Sequence, residues 1–171
     1  MYHCFIHFYL VGFAREDSEA LKEMPSFENF AHMFTESAQL DWSLAARADV
    51  ILADLRSLGD TSVVQELLQT KRREAQLLLL AGQEQLPELT GCLSEINDIW
   101  TVPLSRELLQ FHFLRWQQGH KQSKDLWQAS HFLEATINSV PNLIWYKTKD
   151  GVHEKVNDSF CKTVNKTKQQ V

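Results

Sequence analysis

Hydrophobic positions along the first two thirds of the chain come in two kinds: short β-rich runs with few polar interruptions, and longer stretches in which apolar residues recur every three or four positions. Tyr2–Val11 is aromatic and β-branched, and its even positions Tyr2, Cys4, Ile6, Phe8 and Leu10 point to one inward face of a strand. Val50–Ala53 and Gln76–Ala81 (QLLLLA) are nearly unbroken apolar runs, the pattern of strands buried on both faces of a parallel sheet, and Asp98–Val102 (DIWTV) predicts the next strand. Phe30, His32 and Phe34 alternate and predict a further strand over Glu28–Thr35, although Phe27, Phe30 and Phe34 also fit a helical stripe. Between these runs lie predicted helices at Glu16–Met24, Ala38–Ala46, Thr61–Arg73 and Pro87–Ile96, and from Leu104 onward. Strand and helix alternate five times, so the expected class is α/β, a doubly wound five-stranded parallel sheet.

Composition narrows the function classes. The 171 residues are enough for one good-sized core, or for one domain and a fragment of another. A net charge of −5 leaves no basic face to neutralise phosphates, so nucleic acid is not the expected partner. Cys4, Cys92 and Cys161 are far apart and odd in number, which suggests neither a disulfide framework nor a metal-binding CxxC pair. A reducing, cytoplasmic location follows. The apolar start MYHCFIHFYLVGF has no basic start, is interrupted by two histidines and is followed by no small-residue cleavage site, and is read as the first strand rather than a signal peptide; no run is long enough to span a bilayer.

The candidate chemistry begins at Asp54, which ends the run ADVILAD. A carboxylate at the carboxyl end of a parallel strand sits at the ligand crevice of open α/β sheets; the plainer alternative is that Asp54 caps the turn that follows. His3, Cys4 and His7 invite a metal reading, but two histidines four apart on a strand are poorly placed to share one tetrahedral ion, and hydrogen-bonded histidines are the expectation. His112, His120 and His131 fall on the long helix as surface or interface residues. No metal or cofactor is expected.

Taken together, ADVILADLRSLGD, QLLLLAG and DIWTVPLSRELL resemble, in order and spacing, the receiver domain of response regulators, a flavodoxin-like fold. The resemblance implies that Asp54 matches the phospho-accepting aspartate and Pro103 the proline after the fifth strand, whose preceding bond is often cis in that family. The other switch positions depart from the pattern. Val11 and Gly12 stand where the Mg²⁺-holding acidic pair is expected, Ala81 replaces the hydroxyl residue, and Val102 replaces the lysine; Glu16 and Asp17 come too late, inside the first helix. Phosphoryl transfer to a carboxylate relies on a cation and positive donors around the transferring oxygens, and a lone Asp54 supplies neither. The implied module is a degenerate receiver used for docking or dimerisation, with a phosphorylatable switch at Asp54 as one alternative. A flavodoxin-like enzyme or nucleotide binder is another, but it would want a Gly-rich loop after the first strand, where only Gly12 is present.

Leu104–Ser139 predicts one long helix that continues through the polar stretch Gly119–Lys124. Leu109, Phe113, Trp116, Trp127 and Ile137 fall on one heptad-like seam interrupted by His120, Ser123 and Ser130, which suits a weak parallel homodimer; Phe113, Trp116 and Trp127 are the candidate interface residues. The carboxyl-terminal stretch has a helix, Val140-Pro141, a strand at Leu143–Lys147, the turn Lys149–Gly151, a strand at Val152–Val156 and a helix capped by Asn157. It resembles the opening of a PAS sensor domain, with Asn157 and Phe160 on the family's pattern. The expected organisation is a receiver-like domain over 1–117, a connecting helix over 118–139 and the truncated start of an α+β PAS domain over 140–171. Such layouts resemble multidomain bacterial signalling proteins ending in a diguanylate cyclase or histidine kinase, so the expected role is regulatory, not enzymatic.

Overall fold

The computed structural model describes residues 2–171, which divide into two compact units, one ending at Gln118 and the other spanning Gly119–Val171. The first unit is built on five strands, β1 (Cys4–Val11), β2 (Phe30–Ser37), β3 (Val50–Asp54), β4 (Gln76–Gly82) and β5 (Asp98–Val102). All neighbours pair in parallel in the order β2-β1-β3-β4-β5, the flavodoxin-like arrangement. Every residue of β3 is buried, as its uninterrupted apolar run requires of a central strand covered on both faces.

The period-2 pleat sorts the strand residues into two cores. Ile6, Phe8, Leu10, Leu52, Leu80 and Trp100 face α1 (Arg15–Lys22) and the first turns of α5 (Arg106–Ser139), meeting Leu21, Leu109 and Phe113. On the other face Tyr9, Val11, Ile51 and Leu79 pack with α2 (Trp42–Ala45), α3 (Leu55–Leu58), α4 (Ser62–Thr70) and a 3-10 helix at Leu86–Cys92.

Several elements differ from the sequence expectation. The helix expected over Ala38–Ala46 shrinks to the single turn α2, because β2 extends to Ser37 in an eight-residue register with β1 and leaves little chain for it. The buried Tyr9 hydroxyl then pins the loop, pairing with Ser37 Oγ at 2.6 Å and accepting the Asp41 N–H at 2.8 Å. The Thr61–Arg73 helix is shorter, Ser62–Thr70, and is preceded by an unanticipated turn of helix, α3, which ends at Gly59 in the left-handed region. In place of the α-helix expected over Pro87–Ile96 there is the 3-10 helix Leu86–Cys92, with Thr90 Oγ1 donating back to the Pro87 carbonyl. The Val102–Pro103 peptide bond is cis.

Residues 119–139 of α5 belong to the second unit, together with the antiparallel hairpin of β6 (Trp145–Lys147) and β7 (His153–Val156) and the helix α6 (Asp158–Val164). Asn157, fully buried, organises this unit: its Nδ2 donates to the carbonyls of Ile137, Val140 and Asn142, and its Oδ1 accepts the N–H groups of Ile144 and Phe160. One side chain thus supplies the α6 cap and fastens the end of α5 to the hairpin. No helix among the described residues is long and apolar enough to cross a membrane.

Candidate functional site

The strand order reverses at β1, so the crevice between the carboxyl ends of β1 and β3 is where a doubly wound sheet offers a site. β3 delivers Asp54 to that edge, where the backbone leaves the strand and turns directly into α3. Asp54 caps α3, accepting the Arg56 N–H on Oδ1 at 3.0 Å, and it also receives the Arg56 side chain: Nε lies 2.9 Å from Oδ1 and 3.2 Å from Oδ2, and Nη2 lies 2.5 Å from Oδ2. The cap and the site are therefore the same group. The Asp54 carboxylate is only 2% exposed, while Arg56 keeps 41% of its side chain in water. Hydrogen bonding to Asp54 holds the Arg56 guanidinium above its ordinary pKa, and Nη2 also lies 3.7 Å from Asp17 Oδ2 on α1.

The remaining switch positions close around this pair. Val11 is fully buried in the core, and Gly12 has φ of +76°, with space so restricted that an added Cβ would stand 3.0 Å from the Asp54 carbonyl oxygen and 3.2 Å from Ser57 Cβ. A carboxylate at Gly12 has neither the backbone conformation nor the room it needs. Ala81 is buried in the second core and offers no donor to the crevice. Beyond it the Gln85 side chain accepts the Gly82 N–H at 2.9 Å and donates to the Leu55 carbonyl at 3.1 Å, strapping the loop after β4 to the one after β3. Val102 is buried at the end of β5, next to Pro103.

Chemically, this arrangement neutralises a carboxylate without presenting it. Both oxygens of Asp54 already accept charged or backbone N–H groups, and the bidentate guanidinium lies across them. Arg56, Gln85 and Tyr9 were not singled out by sequence reasoning; the signal for Arg56 is its place two residues after Asp54, inside a turn.

The other candidates separate. His7 Nε2 is 2.8 Å from Thr35 Oγ1, a hydrogen-bonded strand histidine, and no group of three or more His, Cys, Asp or Glu side chains among the described residues is placed to hold a metal ion. His112, expected as a surface or interface residue, is half-buried and stacks on buried Trp100. The interface seam is also corrected: Phe113 is fully buried against Phe8 and Phe34, and Trp116 packs on the same core with its Nε1–H donating to Gln76 Oε1 at 2.7 Å. Only Trp127 of the three is open, 56% exposed in the second unit, alongside exposed Leu126, Phe132 and Leu133.

No family model matches the sequence, and no curated protein does. Among solved structures, the chain is similar to an adenylate cyclase from Rhodopirellula baltica, at 17% identity over 71% of this chain and 96% of that one, with a TM-score of 0.47. It is also similar to the ChxR receiver domain from Chlamydia trachomatis, at 15% identity over 64% and 98% of the two chains and a TM-score of 0.37. A response regulator from Burkholderia pseudomallei with a phosphorylated aspartic acid, calcium ion and citrate gives 14% identity over 96% and 95% and a TM-score of 0.44.

Proposed function

We propose that this chain is the regulatory region of a multidomain signalling protein in the cytoplasm, in which the first unit is a degenerate receiver that docks or dimerises instead of accepting phosphate. The observation that carries the reading is the closure of Asp54: the carboxylate at the functional edge of a 2-1-3-4-5 parallel sheet is buried and held on both oxygens by Arg56. The hairpin and the Asn157-capped helix of the second unit support its reading as the start of a PAS-type sensor. Exposed Leu126, Trp127, Phe132 and Leu133 support self-association through the later part of α5, which would bring two downstream effectors, of diguanylate cyclase or histidine kinase type, side by side.

The test is direct. The chain is incubated with acetyl phosphate or beryllofluoride and Mg²⁺, then followed by intact mass and amide chemical shifts. Asp54 stays unmodified on this reading; stoichiometric modification there replaces it with a phosphorylation switch. A flavin or nucleotide that stays bound through purification would point to the enzyme class.

A further inference from the structure

A receiver-type crevice implies a divalent cation beside the acceptor aspartate, and the residues here do not fit one. Gly12, which precedes α1 at the crevice, has a left-handed backbone and would press any side chain onto the Asp54 carbonyl oxygen. The coordinating faces of Asp54 are taken by Arg56, whose Nη2 reaches one carboxylate at 2.5 Å and faces the second, Asp17, at 3.7 Å. That single nitrogen thus has an acidic oxygen from β3 and another from α1 within 3.7 Å, as a cation held between the two carboxylates would.

We propose that Arg56 is the resident cation of this crevice: a tethered guanidinium in the place of a divalent ion, tying the end of β3 to α1 and making the site indifferent to Mg²⁺ and Mn²⁺. The proposal deepens the degenerate-receiver reading and rests on it for the identity of the crevice. Two carboxylates with water completing the shell are a sufficient set for a hard divalent ion once the guanidinium is gone. A covalently attached cation also cannot be diluted or chelated, so the link between β3 and α1 is constitutive.

The experiment needs no phosphoryl donor, so its outcome is separate from the phosphorylation test. Thermal unfolding of the full chain and Mn²⁺-induced paramagnetic broadening of the amides around residue 54 are measured with and without millimolar Mn²⁺ or Mg²⁺. The wild-type chain and Arg56→Lys are expected to be indifferent to either ion. Arg56→Ala and Arg56→Gln are expected to gain stability with the metal, about tenfold in the folding constant when it is present at roughly ten times its Kd. Adding Asp54→Asn to either variant should abolish the gain. If Arg56→Ala is too unstable to isolate, Arg56→Gln, which keeps an amide donor against Asp54, carries the test. Specific broadening at Asp54 in the wild type overturns the proposal, as does metal-indifferent unfolding of soluble Arg56→Ala or Arg56→Gln.

Discussion

Truncating Phe113 to alanine removes a ring that is wholly out of water, 5.4 Å from Phe8 in an edge-on contact and 6.0 Å from Trp116 in a stacked one. Returning a buried benzyl group to water costs about 2–3 kcal/mol at roughly 25 cal/mol per Å². The cavity left between α5 and the sheet adds to this, so the expected loss is about 3–5 kcal/mol. The slowest-exchanging amides of β3, such as Ile51 and Leu52, report the opening of the first unit and are the place to read it in the full chain. A core residue lowers their protection by the same amount at low and high protein concentration. An interface residue would give a loss that vanishes on dilution, and that result, or a loss below about 1 kcal/mol, would refute the assignment of Phe113 to the core. Trp127→Ala is the counterpart: more than half exposed, it should leave folding within about 0.5–1 kcal/mol while weakening any self-association seen by sedimentation.

Burial lowers the pKa of His32, whose ring packs on Phe8 and Phe113, so the neutral form is the folded one. Between its folded value and 6.5 the unfolded chain binds the proton and the folded chain does not; stability is complete above 6.5 and falls as pH drops below it, and urea midpoints from pH 7.5 to 5.5 should lose much of that slope in His32→Phe. Gly12→Ala is expected to cost about 1–3 kcal/mol by denaturant titration, since the left-handed backbone and the contact with the Asp54 carbonyl both oppose it; Gly151→Ala, with φ of +83° but open space, should cost only about 1 kcal/mol. Asn157→Ala removes the side-chain partner of three carbonyls and two N–H groups at once, only the Val140 carbonyl keeping a second side-chain donor, Ser159 Oγ, and should loosen the second unit by about 2–4 kcal/mol, read as faster proteolysis between Ser139 and Asp158 with β3 protection unchanged.

The sheet was the legible part, for a physical reason. A strand covered on both faces has no polar position to spare, so Val50–Ala53 and Gln76–Ala81 stand out as runs, and the paired strands lie within a residue of where those runs fall; Asp98–Val102, at the edge of the sheet, keeps Asp98 and Thr101 exposed. Peripheral helices were less legible because their lengths are set by what the strands leave over. β2 takes Glu36 and Ser37 into its register with Leu10 and Val11, and the helix after it shrinks to one turn. The seam on α5 misled for a related reason: a 3.6-residue core stripe and a 3.5-residue dimer stripe pick out the same residues over two or three turns. Phe113 belongs to the sheet and Trp127 does not, and only packing distinguishes them.

The position of Asp54 was readable and its state was not. Ending a buried run at a carboxylate locates the crevice, yet what that carboxylate does depends on Arg56, two residues on, and the pairing has no periodic signature because it is made inside a turn. The turn itself depends on Gly12, whose missing Cβ lets the backbone from Asp54 to Leu58 lie against the end of β1. The substitutions are therefore coupled. Placing an aspartate at Gly12 would strain the backbone and push away the segment that carries Asp54 and Arg56, and removing Arg56 alone would leave a buried carboxylate with only its capping bond. Restoring an acidic residue at Gly12 does not by itself reopen the crevice, because Arg56 still lies across both oxygens of Asp54.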